Sequence, residues 1–241
     1  LTAPRPKRRT KKQYQPQTPK SFDLRLKKIE PLTDNQEKVF DDYDDGKNLL
    51  LLGVPGSGKS FISLFLAFEE IYSGKSSYNK VIVIRSAQSS KNIGFLPGTA
   101  QQKMERFETP YISICNDLFE RGDAYSILKQ KNTLEFESTS FLRGTTLNDA
   151  IIILDECQNL SYQEIKTVLT RVGDNARIII CGDIKQDDLT SVRYSEESGL
   201  VKILPVLTKI NSISKTEFGV EDILRSGFVK EFIIAELNTF D

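Results

Sequence analysis

Apolar residues in this chain come in short unbroken runs: LLLL at 49–52, VIVI at 81–84, AIIIL at 150–154 and IIIC at 178–181. Runs of that length with no polar alternation are the signature of strands buried on both faces of a parallel sheet. Between them the apolar spacing changes to helical. PLTDNQEKVFDDYDDG offers Thr33 or Asp34 as a cap, with Val39, Phe40 and Tyr43 as the inward positions. KSFISLFLAFEEIYSG stops at Gly74, and SYQEIKTVLTRVG opens on Ser161 with Glu164 three residues later and closes at Gly173. A further apolar helix is predicted near 110–121, strands at 133–141 and near 210–218, and a last helix over VEDILRSGFVKEFIIAELN. Strands alternating with helices in this way predict a three-layer α/β sandwich on a mainly parallel sheet. In such sheets ligands bind where the strands end, at their carboxyl edge.

Composition adjusts that picture in three ways. The formal charge is zero, with 33 basic and 33 acidic residues, but residues 1–20 hold Arg5, Lys7, Arg8, Arg9, Lys11, Lys12 and Lys20 and no acid, leaving 26 basic against 33 acidic in 21–241. A basic, Pro- and Gln-rich arm at 1–20 is therefore expected ahead of one substantial domain at 21–241. The arm has too few apolar residues to offset its ordering entropy. Its charge suits phosphate backbones, and it suits a solvated tail equally. Second, the chain contains no histidine, which excludes His-based acid–base chemistry, Ser-His-Asp triads and His metal ligands. Third, the three cysteines Cys115, Cys157 and Cys181 lack metal-ligand spacing and read as small core residues in a reducing compartment. No apolar run is long enough to span a bilayer, and a soluble cytoplasmic protein is the expectation.

The chemistry is concentrated at the strand ends. GVPGSGKS, Gly53 to Ser60, fills every fixed position of G-x-x-x-x-G-K-[ST] directly after an apolar strand and before a helix. Gly56 and Gly58 let the backbone curl with N–H groups facing inward, so that Gly53, Pro55, Gly56, Ser57, Gly58, Lys59, Ser60 and Phe61 form a phosphate cradle backed by a helix dipole. Lys59 would reach the β- and γ-phosphates of ATP, and Ser60 would ligate Mg2+. AIIILDE supplies the second half: Asp155 for the metal, through its water shell, and Glu156 as general base toward the attacking water. A base there favours hydrolysis over phosphoryl transfer to a small acceptor.

Gln158 extends this to DECQ, and GDIKQ at 182–186 follows, with Asp183 lying 25 residues after Gln158 and then Gln186. DExQ followed by GDxxQ resembles the first, RecA-like motor domain of superfamily 1 helicases, in which the second Gln senses the γ-phosphate. By that likeness Asp183 and Gln186 are sensors, and Gln36 in TDNQ resembles the upstream Gln that reads adenine. Over a longer span GFLPGT at 94–99, FLRGTTLNDAIIILDECQN at 141–159, LTRVG at 169–173 and GDIKQDDL at 182–189 resemble, in this order, the PhoH-like family of phosphate-starvation-inducible ATPases. The likeness covers roughly residues 30 to 230. IRSAQSS lacks the usual Arg-Pro of that family, and Cys157 stands where it has Ala. The resemblance implies a single P-loop NTPase domain, ATP binding and hydrolysis with Mg2+, and a helicase-like link to single-stranded nucleic acid, RNA ahead of DNA.

Only 55 residues follow Gln186, too few for a second motor domain. Identical subunits completing one another's sites in a head-to-tail hexameric ring is the resulting expectation. Arg225, read as early in the last helix, is the favoured arginine to act at a neighbour's nucleotide, with Arg193 as the alternative. Arg171 is expected at the opposite edge of the sheet. Arg85, Lys91, Phe95, Gly98 and Arg143 are candidate nucleic-acid contacts. A nucleotide or metabolite kinase and a slowly hydrolysing ATP-gated scaffold are the competing function classes.

Overall fold

A computed structural model describes residues 23–74, 76–86, 100–142, 144–184, 198–225 and 227–240. Helices α1 (Asp34–Asp44), α2 (Lys59–Ser73), α3 (Ala100–Leu118), α4 (Ala124–Gln130), α5 (Tyr162–Leu169), α6 (Gly199–Leu207) and α7 (Gly227–Phe240) alternate with six strands. These are β1 (Asn48–Gly53), β2 (Lys80–Arg85), β3 (Leu134–Ser138), β4 (Ala150–Leu154), β5 (Ala176–Gly182) and β6 (Ile213–Phe218). They form one sheet in the order β3-β2-β4-β5-β1-β6, and every neighbouring pair is parallel. The α/β three-layer expectation is met, with a sheet parallel throughout among the described residues.

The unbroken apolar runs explain the layers. In β1, Leu49 and Leu51 join the core shared with α1 to α4, while Leu50 and Leu52 join the core under α5 and α6. Each such leucine contributes about 1.5–3 kcal/mol on burial, so strands apolar on both faces hold helices on both sides. Cys115, Cys157 and Cys181 are all buried and unbridged, as their neighbours in sequence suggested. A third, small cluster of Val54, Ile223 and Ile233 seats α7 beside the root of the β1–α2 loop.

Local signals set most boundaries. Thr33 caps α1 by accepting from Gln36 N–H, and α5 opens on a full capping box between Ser161 and Glu164. Four boundaries differ from the sequence reading. The helix expected at 110–121 begins at Ala100 and carries Pro110 inside it, and α4 follows separately. The strand expected at 133–141 stops at Ser138, where Thr139–Phe141 turn into a 3-10 helix. Helix α5 ends at Leu169, before Gly173, because the chain turns to pair Leu147 with Val172. The last helix starts only at Gly227: Val220–Asp222 is a separate 3-10 turn, and Leu224 N–H is drawn to the Gly56 carbonyl at 3.2 Å. Arg225 therefore sits in the segment ahead of α7, not within it.

Candidate active site

Strand β5 lies between β1 and β4, so the loop after β1, the carboxylates after β4 and Asp183 after β5 converge on one carboxyl edge. The loop's shape depends on its glycines. Gly53 has φ +127, and a Cβ there would stand 2.1 Å from the Phe218 carbonyl oxygen, so only glycine lets β6 run alongside. Gly56 and Gly58 hold φ +81 and +84, the left-handed conformation that turns successive N–H groups to one side. Ser57 is fully buried and braces the loop from behind through Oγ to the Val54 carbonyl at 2.9 Å. Lys59 Nζ lies within the loop, donating to the carbonyls of Gly53 at 2.7 Å and Val54 at 2.8 Å. Burial lowers its pKa, opposed by Cys181, Asp183, Asp155 and Glu156. Helix α2 begins at Lys59, aiming the positive end of its dipole at the same space.

The acidic half is a connected chain. Ser60 Oγ donates to Asp155 Oδ2 at 2.8 Å, Tyr111 OH donates to the same oxygen at 2.7 Å, and Glu156 N–H donates to Oδ1 at 3.0 Å. Glu156 has φ 55 and ψ 44, a left-handed conformation costing a non-glycine residue roughly 1–2 kcal/mol. Strain of this kind persists where surrounding structure enforces it, as at functional sites. Here the enforcement is visible: Gln158 Nε2 donates to Glu156 Oε2 at 2.7 Å, and Gln158 Oε1 accepts Asp183 N–H at 3.1 Å. Burial raises the Glu156 pKa and neighbouring Asp155 adds to it, while Arg85, Gln158 and Lys59 pull it down. The result is a buried carboxylate that is a stronger base than a surface glutamate.

On the other flank Gln36 is 3% exposed. Its Oε1 accepts Leu32 N–H at 2.9 Å, which fixes the amide's orientation, and its Nε2 is buried without a hydrogen-bond partner. A Cβ at Gly58 would lie 3.9 Å from that nitrogen. Asp222, fully buried, ties this flank together: its carboxylate accepts from Thr33 Oγ1 at 2.5 Å, Asn35 Nδ2 at 2.8 Å and Gly219 N–H at 2.8 Å. The same segment then brings Leu224 and Arg225 to the loop, where a Cβ at Gly56 would meet Arg225 Cγ at 2.9 Å.

These groups bound a cavity of about 760 Å³. Pro55, Gly56, Gly58, Lys59, Ser60 and Phe61 line one side and Asp155, Glu156, Gln158 and Asp183 another, with Arg85, Tyr111 and Arg225 completing the wall. The sequence reading and the structure agree in bringing Lys59, Ser60, Asp155, Glu156 and Asp183 together. Gly53, Ser57 and Gln36 are not part of the cavity lining: Gly53 and Ser57 shape the loop from within, and Gln36 lies behind Gly58. Arg225 and Arg85, read as a group for a neighbour and a nucleic-acid contact, both face the chain's own pocket. Arg171 lies at the opposite edge, its carbonyl accepting Leu147 N–H at 2.8 Å ahead of β4. Gln186, Lys91, Phe95, Gly98, Arg143, Arg193 and the arm at 1–20 lie outside the described residues. Tyr111 and Asp222 carried no local signal, since each acquires its role from partners far away in sequence.

The donor set suits a triphosphate with its metal. A glycine loop of inward N–H groups, one ammonium and a helix N-terminus match phosphate oxygens. The hydroxyl of Ser60 against the Asp155 carboxylate is the oxygen pair that Mg2+ selects. The parallel sheet, the loop and the strand-end carboxylates define a P-loop NTPase domain of the RecA-like kind.

Comparison with known proteins places it further. The family described as "PhoH-like protein" matches residues 28–236, and the chain belongs to that family. It is similar to a PhoH-like protein of Mycobacterium leprae (30% identity over 212 residues, 88% of this chain and 59% of the relative). It is likewise similar to a PhoH-like protein of Bacillus subtilis (31% over 185 residues, 76% and 56%) and to protein PhoH of Escherichia coli (31% over 185 residues, 76% and 51%). The chain thus spans between half and three-fifths of the length of these three relatives. Among solved structures it is similar to the large terminase of a thermophilic bacteriophage, with TM-score 0.49 and 11% identity over 86% of this chain and 50% of that one. Similarity to the Pif1 helicase from Candida albicans has TM-score 0.34 and 19% identity over 79% and 40%. Among the described residues no helix is long and apolar enough to cross a membrane.

Proposed function

We propose that the chain is an Mg2+-dependent ATPase that couples hydrolysis to single-stranded nucleic acid, RNA ahead of DNA, and works as a head-to-tail ring of identical subunits, six in number. The observation that carries the ATPase is the unbroken hydrogen-bond path Ser60–Asp155–Glu156–Gln158–Asp183 across the pocket floor. It joins the metal-binding hydroxyl to the base, and the base to the loop that opens GDIKQ.

The loop N–H groups and Lys59 would hold the β- and γ-phosphates, and Ser60, with Asp155 through the water shell, would hold Mg2+. When bound, Mg2+ neutralises charge on the phosphate oxygens. Glu156 accepts the proton of the attacking water as its oxygen bonds to the γ-phosphorus. The bond from that phosphorus to the β–γ bridging oxygen breaks, releasing ADP and phosphate. Arg225 is positioned to compensate charge on its own chain's nucleotide, and a residue crossing between subunits would come from elsewhere. Gln36 lies outside the cavity lining, so its assignment to the adenine edge rests on the helicase likeness alone. Gln186 is the γ-phosphate sensor on the helicase likeness. That likeness, DECQ with GDIKQ, also supports the nucleic-acid coupling.

ATP turnover measured across a protein dilution series, with and without single-stranded RNA or DNA, tests the whole reading. Turnover per subunit that rises with concentration, and again with RNA more than DNA, is expected. A rate flat in both would discard the ring and the motor while leaving the ATPase. Arg225→Ala is expected to bind ATP and hydrolyse it slowly, and full-rate hydrolysis would remove Arg225 from the site.

A further inference from the structure

The metal half of the pocket contains a contact that no motif names. Asp155 Oδ2 accepts two hydrogen bonds, from Ser60 Oγ at 2.8 Å and Tyr111 OH at 2.7 Å, and Oδ1 accepts Glu156 N–H at 3.0 Å. Both oxygens are thereby held by donors from three places: the start of α2, the adjoining backbone and the middle of α3. Tyr111 is 1% exposed and lines the cavity, with its ring tilted against Phe136 at 5.3 Å between centroids.

We propose that Tyr111 is a positioning residue for the metal: its hydroxyl sets the rotation of the Asp155 carboxylate at which that group, with Ser60, supports Mg2+ on the nucleotide. The proposal rests on the Mg2+–ATP reading of the pocket. Ser60 can keep donating its hydrogen to Oδ2 while its lone pairs face the cation, so that hydrogen bond does not compete with the metal, which Asp155 would support through its water shell. Without the phenol, Oδ2 keeps only the Ser60 contact, and the carboxylate regains freedom about its last torsion. Partners that orient a metal-supporting carboxylate are worth about 10- to 100-fold in metal affinity. A tyrosine serving only as core filler would be replaced by phenylalanine without effect, since the ring and its packing on Phe136 remain.

Tyr111→Phe in the full chain decides between these. A fluorescent ADP analogue is titrated at increasing Mg2+ and, separately, in EDTA, with thermal melting to verify the fold. The expected result is unchanged affinity in EDTA and a rise of about tenfold or more in the Mg2+ concentration giving half of the Mg2+-dependent gain. A Tyr111→Phe chain with the wild-type Mg2+ dependence would overturn the positioning role while leaving the site intact. If the wild-type chain binds the analogue with no response to Mg2+, the Mg2+ reading of the pocket fails, and the inference with it.

Discussion

Replacing Asp222 with alanine tests the idea that one buried carboxylate holds the Gln36 flank to the phosphate loop. The carboxylate is fully buried and accepts from Thr33, Asn35 and Gly219, joining the cap of α1 to the turn after β6 across 189 positions of sequence. Hydrogen bonds to a charged group are worth about 1.5–3 kcal/mol each. Three of them are not additive, and removing the charge also removes its own desolvation cost of several kcal/mol. Breaking such a buried arrangement from one side costs about 3–5 kcal/mol, a large share of a total near 5–15 kcal/mol. For a chain of this size that is a fall in Tm of roughly 6–20 °C. Thermal unfolding followed by circular dichroism at neutral pH reads it, with Asp222→Asn, which keeps one accepting oxygen, expected in between. Because the contacts are buried, the difference should persist in about 0.5 M salt, where surface ion pairs are screened. A fall under about 2 °C, below the range for even 1 kcal/mol, or one abolished by salt, would refute the account of Asp222 as a hub.

Further outcomes follow from the same geometry. Gly53→Ala places a Cβ against the backbone of Phe218 at a positive φ, so it should destabilise by about 3 kcal/mol or more and abolish nucleotide binding, read by denaturant melts and analogue titration. Glu156 has a raised pKa in the fold, so the acid limb of kcat/KM against pH, which reports the free enzyme, should fall above the ordinary glutamate range. The same shift means that ionised Glu156 destabilises the fold above its folded pKa and not below its unfolded one. Glu156→Gln should therefore raise Tm near pH 7.5 and lose that gain as the pH falls below about 4, where the carboxyl becomes protonated in both states.

The sheet and the phosphate loop were legible in the sequence because their signals are local: unbroken apolar runs for strands, and fixed glycine spacing for the cradle. The flank was not. VEDILRSGFV reads as continuous helix, yet Asp222 is captured by Thr33 and Asn35, and Leu224 N–H by Gly56. Those non-local bonds end the turn and swing Arg225 over its own loop. The helix read near 110–121 starts at Ala100, and the structure carries it through Pro110. Tyr111, the next residue, is defined by Asp155, 44 positions away. Helix α6, with Pro205 inside it, has no counterpart in the sequence reading.

The central claim is that ATP is bound in this pocket and cleaved with Glu156 as base. Single-turnover release of phosphate from ATP with Mg2+, compared between the wild-type chain and Glu156→Gln, tests it most directly, with ATP affinity measured on both. The account predicts comparable affinity and release slowed by about 10²- to 10⁴-fold in the variant. Equal release rates from two chains that bind ATP equally well would contradict it.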